Sequence, residues 1–411
     1  MAAPVQAELD YAVFRERVAE WIEEHKDGVG GPVDAADLTY EQFSQNRAFL
    51  RALGAQGWYA PAWPAEFGGG GLDLQAGEIV REEMNRRIPH LENVHPPGDI
   101  GQGVASSLWL LGSAEQKQRF LPPVLSGDMV SWELYTEPEA GSDLPSLRTQ
   151  AVRDGDSYVI SGTKVFVGGH FECDQMYVLA VTDPAGKRQQ NLSVFLVPAD
   201  APGITVTDLN MIAGSVKHSI NLDRVRVAAD RLIGSEGDGW TSFNSMFAGQ
   251  AFGHVGIGSM PDRDEYVLRQ FFDYCRTAVR GERTIASHPN ARSALTRLWM
   301  KAEADRLLRA RNARMVERGE QFSYQSAQAS LNRKLLDVEV SGFIHRILGP
   351  LATVSDPRWA PAGGEFEYFQ RYATLQTHPG GTCEVQRIRF FRGMQFARPD
   401  LCGERSSNGS R

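Results

Sequence analysis

The residues able to do chemistry gather in two short segments. The first is Thr136-Glu137-Pro138-Glu139-Ala140-Gly141-Ser142-Asp143, which follows an apolar, strand-like lead of Met129, Val130, Trp132, Leu134 and Tyr135. It offers hydroxyls and carboxylates, and Gly141 permits a close backbone approach that a Cβ would block. Taken alone, the string also reads as an ordinary Pro-Gly-Ser turn. The second segment is Gly380-Gly381-Thr382-Cys383-Glu384-Val385-Gln386-Arg387. His378 stands two residues before it, and imidazole has an ordinary pKa suited to proton transfer near neutrality. A histidine in such a place more often makes local hydrogen bonds at the surface.

Other candidates carry less. The run Gly68-Gly69-Gly70-Gly71 suggests a phosphate loop, but no strand-like run precedes it and no Gly-Lys-Ser/Thr closes it, so it reads as a loop. Cys173, Cys275, Cys383 and Cys402 are scattered without metal or redox spacing. The 9 histidines show no metalloprotease pairing, so no metal is expected. The arginines at 306, 309, 311, 314 and 318 fit a solvated or inter-subunit helix face, with one or two at most left for a ligand phosphate.

The elements that must hold these segments follow from periodicity. Residues 1–128 read as a helical domain, with Phe14, Val18, Trp21 and Ile22 on one helix face. Residues 129–235 switch to short β-branched runs: 157–167, 176–181, 192–197 and 204–207. Turn signals at Asp154-Gly155, Pro184-Ala185-Gly186 and Ala201-Pro202-Gly203 separate them. Such spacing suits a compact antiparallel barrel or sandwich. Helical spacing returns over 236–397, as in Leu295, Leu298, Trp299 and Ala302, then Leu335, Val338 and Ile344. The tail, 398–411, is polar and expected to be disordered. Helices, then strands, then helices is an α+β order.

With 411 residues, of which 42% are hydrophobic, the chain can bury a substantial core. A net charge of −8 gives no general attraction for nucleic acid. No stretch reaches the ~18 apolar residues of a membrane span. Residues 1–8 lack a basic segment followed by an apolar one, so a cytoplasmic protein is expected.

Four stretches, in order, resemble the acyl-CoA dehydrogenase family of flavoproteins over residues 40–397. They are the octapeptide with its lead-in Gly112–Gly127, the hairpin Gly155–Lys164, the junction Asp223–Gly234 followed by Gly239-Trp240, and Gly380–Arg387. The resemblance implies an N-terminal helical domain, a central antiparallel β-barrel and a C-terminal four-helix bundle. It also implies FAD as cofactor, an acyl-CoA substrate oxidised at its α,β-bond, and an electron-transfer flavoprotein as acceptor. Assembly through the bundle would give a dimer of dimers, homo- or hetero-oligomeric. In such a protein Tyr135 and Thr136 would touch the flavin ring, and Gly141 and Ser142 a pyrophosphate. Thr382 and Glu384 would touch the nucleotide part.

Two flavin positions depart from the family pattern. Where a tryptophan and then a serine or threonine are usual, this chain has Phe166-Val167-Gly168, so a ring remains but a hydroxyl is lost. The arginine expected after Tyr274 falls on Ala278, with Arg276, Arg280 and Arg283 nearby. The base departs further. An acyl-CoA α-proton needs a positioned carboxylate to remove it. One usual seat for that glutamate is Gly380; the other, ten residues after Trp240, is Gln250 followed by Ala251. An amide cannot take the proton near neutral pH. The departure leaves three readings. The chain is the non-catalytic partner of a heteromeric enzyme, like some subunits among the actinobacterial steroid side-chain acyl-CoA dehydrogenases. Another residue, such as His378, acts as base. Or the flavin serves a different reaction.

Overall fold

The computed structural model describes residues 9–88, 100–169, 171–214, 216–245 and 263–397. It divides into two compact units, one ending near residue 246 and the other beginning at Asp264. Each is described by itself.

The first unit opens with helices that carry their own start signals. α1 (Tyr11–His25) is capped by the Asp10 carboxylate, which accepts from the Ala12 and Val13 amides. It buries Phe14, Val18 and Ile22, and Trp21 packs beside them, as the spacing predicts. α2 (Tyr40–Ala55) begins with a Thr39/Gln42 capping box. α3 (Leu74–Arg87) and α4 (Ile100–Leu111) follow, then α5 (Ala114–Leu125), whose start is a second capping box made by Ser113 and Gln116. The four glycines at 68–71 form a loop. A Cβ on Gly69 would lie 2.3 Å from the Trp63 carbonyl oxygen, so close backbone packing explains the run, with no phosphate required.

The strands are β1 (Ser131–Leu134), β2 (Gln150–Asp154), β3 (Ser157–Val167), β4 (Gln175–Val181), β5 (Leu192–Pro198), β6 (Ile204–Asn210), β7 (Val216–Ala228) and β8 (Leu232–Ile233). Pairing runs β6-β7-β3-β2-β4-β5-β8, with β1 attached to β4. The long ladders are antiparallel, but β1 lies parallel to β4, with Trp132 opposite Met176. Parallel pairing needs a long crossover, and residues 135–174, which include the octapeptide, supply it. β4 and β5 are apolar on both faces because each serves two cores. Tyr177, Leu179, Val194 and Leu196 face the cluster built with the helices. Met176, Val178, Phe195 and Val197 face a second cluster, with Trp132, Ile160 and Ile220. The buried Tyr177 hydroxyl lies 2.6 Å from Ser107 Oγ on α4 and 2.7 Å from Ser242 Oγ on α6 (Gly239–Ser245), pinning two helices to the sheet.

The second unit holds α7 (Arg263–Thr277), a hairpin of β9 (Val279–Arg280) and β10 (Arg283–Thr284), α8 (Pro289–Glu317), α9 (Gln325–Leu348), α10 (Glu365–Gln376) and α11 (Cys383–Ala397). Its core gathers Phe271, Leu295, Leu298, Leu336, Val340, Phe343, Ile344, Phe366 and Phe369. Trp299, Leu335 and Val338, which have helical spacing in the sequence, are exposed instead. α9 mixes polar and apolar residues around its circumference and buries Lys334 and Asp337 beside Leu336, so spacing alone does not choose its inward stripe. No described helix is long and apolar enough to cross a membrane. The tail 398–411 lies outside the described residues.

Candidate functional site

Four of the proposed flavin residues stand on the loop that leaves β1, and β3 holds that loop in place. Glu137 and Ala140 exchange two main-chain hydrogen bonds of 3.1 Å, closing a tight turn. Beyond it Gly141 and Ser142 are exposed, and a Cβ on Gly141 would meet nothing within 4 Å. The Val165 amide donates to the Thr136 carbonyl at 2.9 Å, which joins the loop to β3. Tyr135 is half-buried, edge-on to Tyr177 and Phe243.

A buried ion pair underlies this loop. Lys164 is fully buried, and its Nζ donates to Glu137 Oε1 at 2.9 Å and to the Tyr135 carbonyl at 3.1 Å. The Glu137 carboxylate also accepts from the amides of Arg148 at 2.6 Å and Thr149 at 2.9 Å. Burial pushes the Lys164 ammonium down to about 8, against the pull of Glu137. Burial pushes the Glu137 carboxyl upward, but Lys164 and the Thr149 and Arg148 donors outweigh it, so the group is held below its ordinary value. The lysine therefore gives stability a pH dependence. Between about 8 and its ordinary 10.5, the unfolded chain holds a proton that the folded chain has shed, so stability rises with pH across that window. Denaturant midpoints measured through this range should show the rise in the wild-type chain and lose it in Lys164→Met.

Phe166 occupies the bulge at the end of β3. Residues two apart on a regular strand share a face, so Phe166 should follow Lys164 inward. The ladder with β7 instead shifts register between Lys164 and Val167, and Phe166 takes φ +60°. The ring is turned outward and is 57% exposed. A bulky residue in the left-handed region costs about 1–2 kcal/mol, a strain typical of functional sites. Gly168 follows at φ +70°, where a Cβ would lie 2.4 Å from the buried Trp132 indole. Trp132 in turn stacks on His218 at 4.5 Å. His218 Nε2 donates to the Gly169 carbonyl at 2.7 Å, and its Nδ1 lies 3.0 Å from Asp208. The missing hydroxyl at 168 thus has a steric cause.

In the second unit, Lys334 and Gln386 fix the loop before α11. Lys334 Nζ donates to the carbonyls of Gln376 at 2.7 Å and Pro379 at 2.6 Å, and Gln386 Nε2 to that of Gly380 at 2.6 Å. Gly380 and Gly381 take φ +66° and +91°. The Thr382 hydroxyl caps α11 by accepting from the Val385 amide at 3.2 Å. Glu384 is exposed and paired with Arg387 at 3.0 Å. His378 is exposed, its Nδ1 2.9 Å from the Thr377 hydroxyl. No residue from Thr377 to Thr382 bears a carboxylate. Ala278 packs on the core while Arg280 and Arg283 pair across the exposed β9–β10 hairpin. Gln250 and Ala251 lie outside the described residues.

The first unit fits a flavin. It presents an outward aromatic ring at a strained bulge, a half-exposed threonine, an exposed serine hydroxyl and a glycine with open space above it. Lys164, Glu137, Trp132, His218, Lys334 and Gln386 support the candidate positions, and sequence reasoning did not single them out. Among the described residues no group of three or more potential ligands could hold a metal.

Comparison with known proteins agrees with this geometry. The N-terminal, middle and C-terminal domains of acyl-CoA dehydrogenase match residues 10–128, 133–223 and 237–395. Acyl-CoA dehydrogenase FadE29 of Mycobacterium tuberculosis is 39% identical over 197 residues, 47% of this chain and 49% of that protein. IpdE1 of the same organism is 29% identical over 92% of this chain and 95% of its own length. The solved Tcur3481-Tcur3483 steroid ACAD superposes with a TM-score of 0.77 at 25% identity, covering 98% of this chain and 100% of that one. This chain belongs to the acyl-CoA dehydrogenase family, whose members are FAD-binding oxidoreductases.

Proposed function

We propose that this chain is a cytoplasmic, FAD-holding subunit of an acyl-CoA dehydrogenase for α,β-oxidation of an acyl-CoA thioester, and that a homologous subunit supplies the base. The observation that carries the proposal is the loop 377–382, held by Lys334 and Gln386 yet empty of carboxylate. Gln250, the other usual seat, has an amide. Bound FAD supplies the two-electron acceptor, from which an electron-transfer flavoprotein draws.

The chain's own residues bind and orient. Phe166 offers a flat apolar face to the ring, and the main chain and hydroxyl of Thr136, beside Tyr135, offer donors where reduction builds up negative charge. Gly141 and Ser142 suit a pyrophosphate, and Thr382 and Glu384 the nucleotide end. His378 is an exposed local hydrogen-bonding residue, which leaves proton removal to the partner.

A paired assembly is consistent with the solved steroid ACAD, which is named for two components, Tcur3481 and Tcur3483. Expressed alone, the chain should be a poor dehydrogenase. Co-expression with a homologous subunit bearing the base glutamate should give a stable, yellow, active hetero-oligomer. Rapid turnover by the chain alone, or no association with such a subunit, would overturn the proposal.

A further inference from the structure

The structure assigns Lys164 a positioning role: its ammonium, braced by Glu137, fixes and polarises the Tyr135–Thr136 peptide so that the Thr136 N–H is presented to the cofactor. The assignment rests on the reading of this loop as a flavin site. The peptide is trans, so its C=O and N–H point in opposite directions. Its carbonyl is drawn inward by a fully buried ammonium at 3.1 Å, which turns the Thr136 N–H to the opposite side. That N–H has no hydrogen-bond partner among the described residues, while the Thr136 carbonyl is held by Val165.

Lys164 and Phe166 belong to one short stretch of β3. The bulge sends the ammonium inward under the loop and the ring outward beside it. A cation bound to a carbonyl strengthens the N–H of the same peptide, because hydrogen bonds in series polarise one another. Reduction of a flavin places negative charge where such donors point, so the effect should be larger for the reduced ring than for the oxidised one.

Glu137 keeps the arrangement neutral. Its carboxylate takes the ammonium and two amides, so the loop's orientation and the charge beneath it are set by the same contacts. A buried pair is seldom the most stabilising filling of a core, and one that is retained needs another reason. Orientation of the cofactor's donor is that reason here.

The test is FAD binding and flavin potential in Lys164→Met and in the double variant Glu137→Gln/Lys164→Met. The single variant strands a buried carboxylate and should unfold at lower temperature. The double variant removes that charge and should melt near the wild type as apoprotein. It should nevertheless bind FAD about tenfold more weakly, the scale of one charge-assisted hydrogen bond, and lower the two-electron midpoint of the bound flavin. If the double variant fails to fold, Glu137→Gln alone, with the ammonium kept but less well braced, should show the same two changes in smaller degree. Unaltered affinity and midpoint in a folded variant would overturn the role of Lys164. Absence of FAD binding by the wild-type chain would overturn the flavin reading instead.

Discussion

Gly380→Glu should raise the rate of acyl-CoA dehydrogenation by the isolated chain about 10²–10⁴-fold, the usual contribution of a positioned general base. The substitution would place a carboxylate on a loop that two side chains already hold from behind. Gly380 is exposed. Its φ of +66° sets the cost, about 1–2 kcal/mol for a residue with a Cβ. That is a modest part of a stability of roughly 5–15 kcal/mol, so the rate effect should dominate. Gly380→Gln is the control, because it suffers the same backbone strain without gaining a base. Steady-state rates of the three proteins, each loaded with FAD, decide the matter. Equal rates for Glu and Gln would show that this position is not the empty seat.

Gly168→Thr should fail to restore the flavin contact that the family pattern suggests, and should destabilise the chain by about 3 kcal/mol. The new Cβ would lie 2.4 Å from Cδ2 and 2.5 Å from Cε2 of Trp132, an indole locked in the core by His218. Overpacking of this kind costs about 1–3 kcal/mol, and a β-branched residue at φ +70° adds strain. Denaturant midpoints and FAD titration of the folded fraction check both parts. A variant as stable as the wild type, with tighter FAD binding, would show that the missing hydroxyl and not the packing governs this position.

Much of the fold was legible because its signals are local. Capping boxes, the change from helical to alternating period and the turn dipeptides are written within a few residues of where they act. The site was legible through resemblance, and its support only in part. Lys164 shares strand parity with Tyr158 and Ile160, both buried, but its partner Glu137 lies 27 residues away and no local pattern joins the two. Phe166 shares that parity and is nonetheless outside, because a bulge resets the alternation and nothing in its own type announces φ +60°. The dependence of Gly168 on Trp132, and of the loop before α11 on Lys334, joins residues far apart in sequence, 42 and 45 positions for the Lys334 contacts, and emerges only on folding. The same is true of α9, which exposes Leu335 and Val338 while burying the charged Lys334 and Asp337.

The most direct measurement is anaerobic mixing of the FAD-loaded isolated chain with acyl-CoA thioesters, short-chain and steroid-like, while the visible flavin absorption is followed. The expected result is a yellow protein whose colour persists on the timescale of turnover, with rapid bleaching once a homologous subunit bearing the base glutamate is assembled with it. Rapid bleaching by the wild-type chain alone would contradict it.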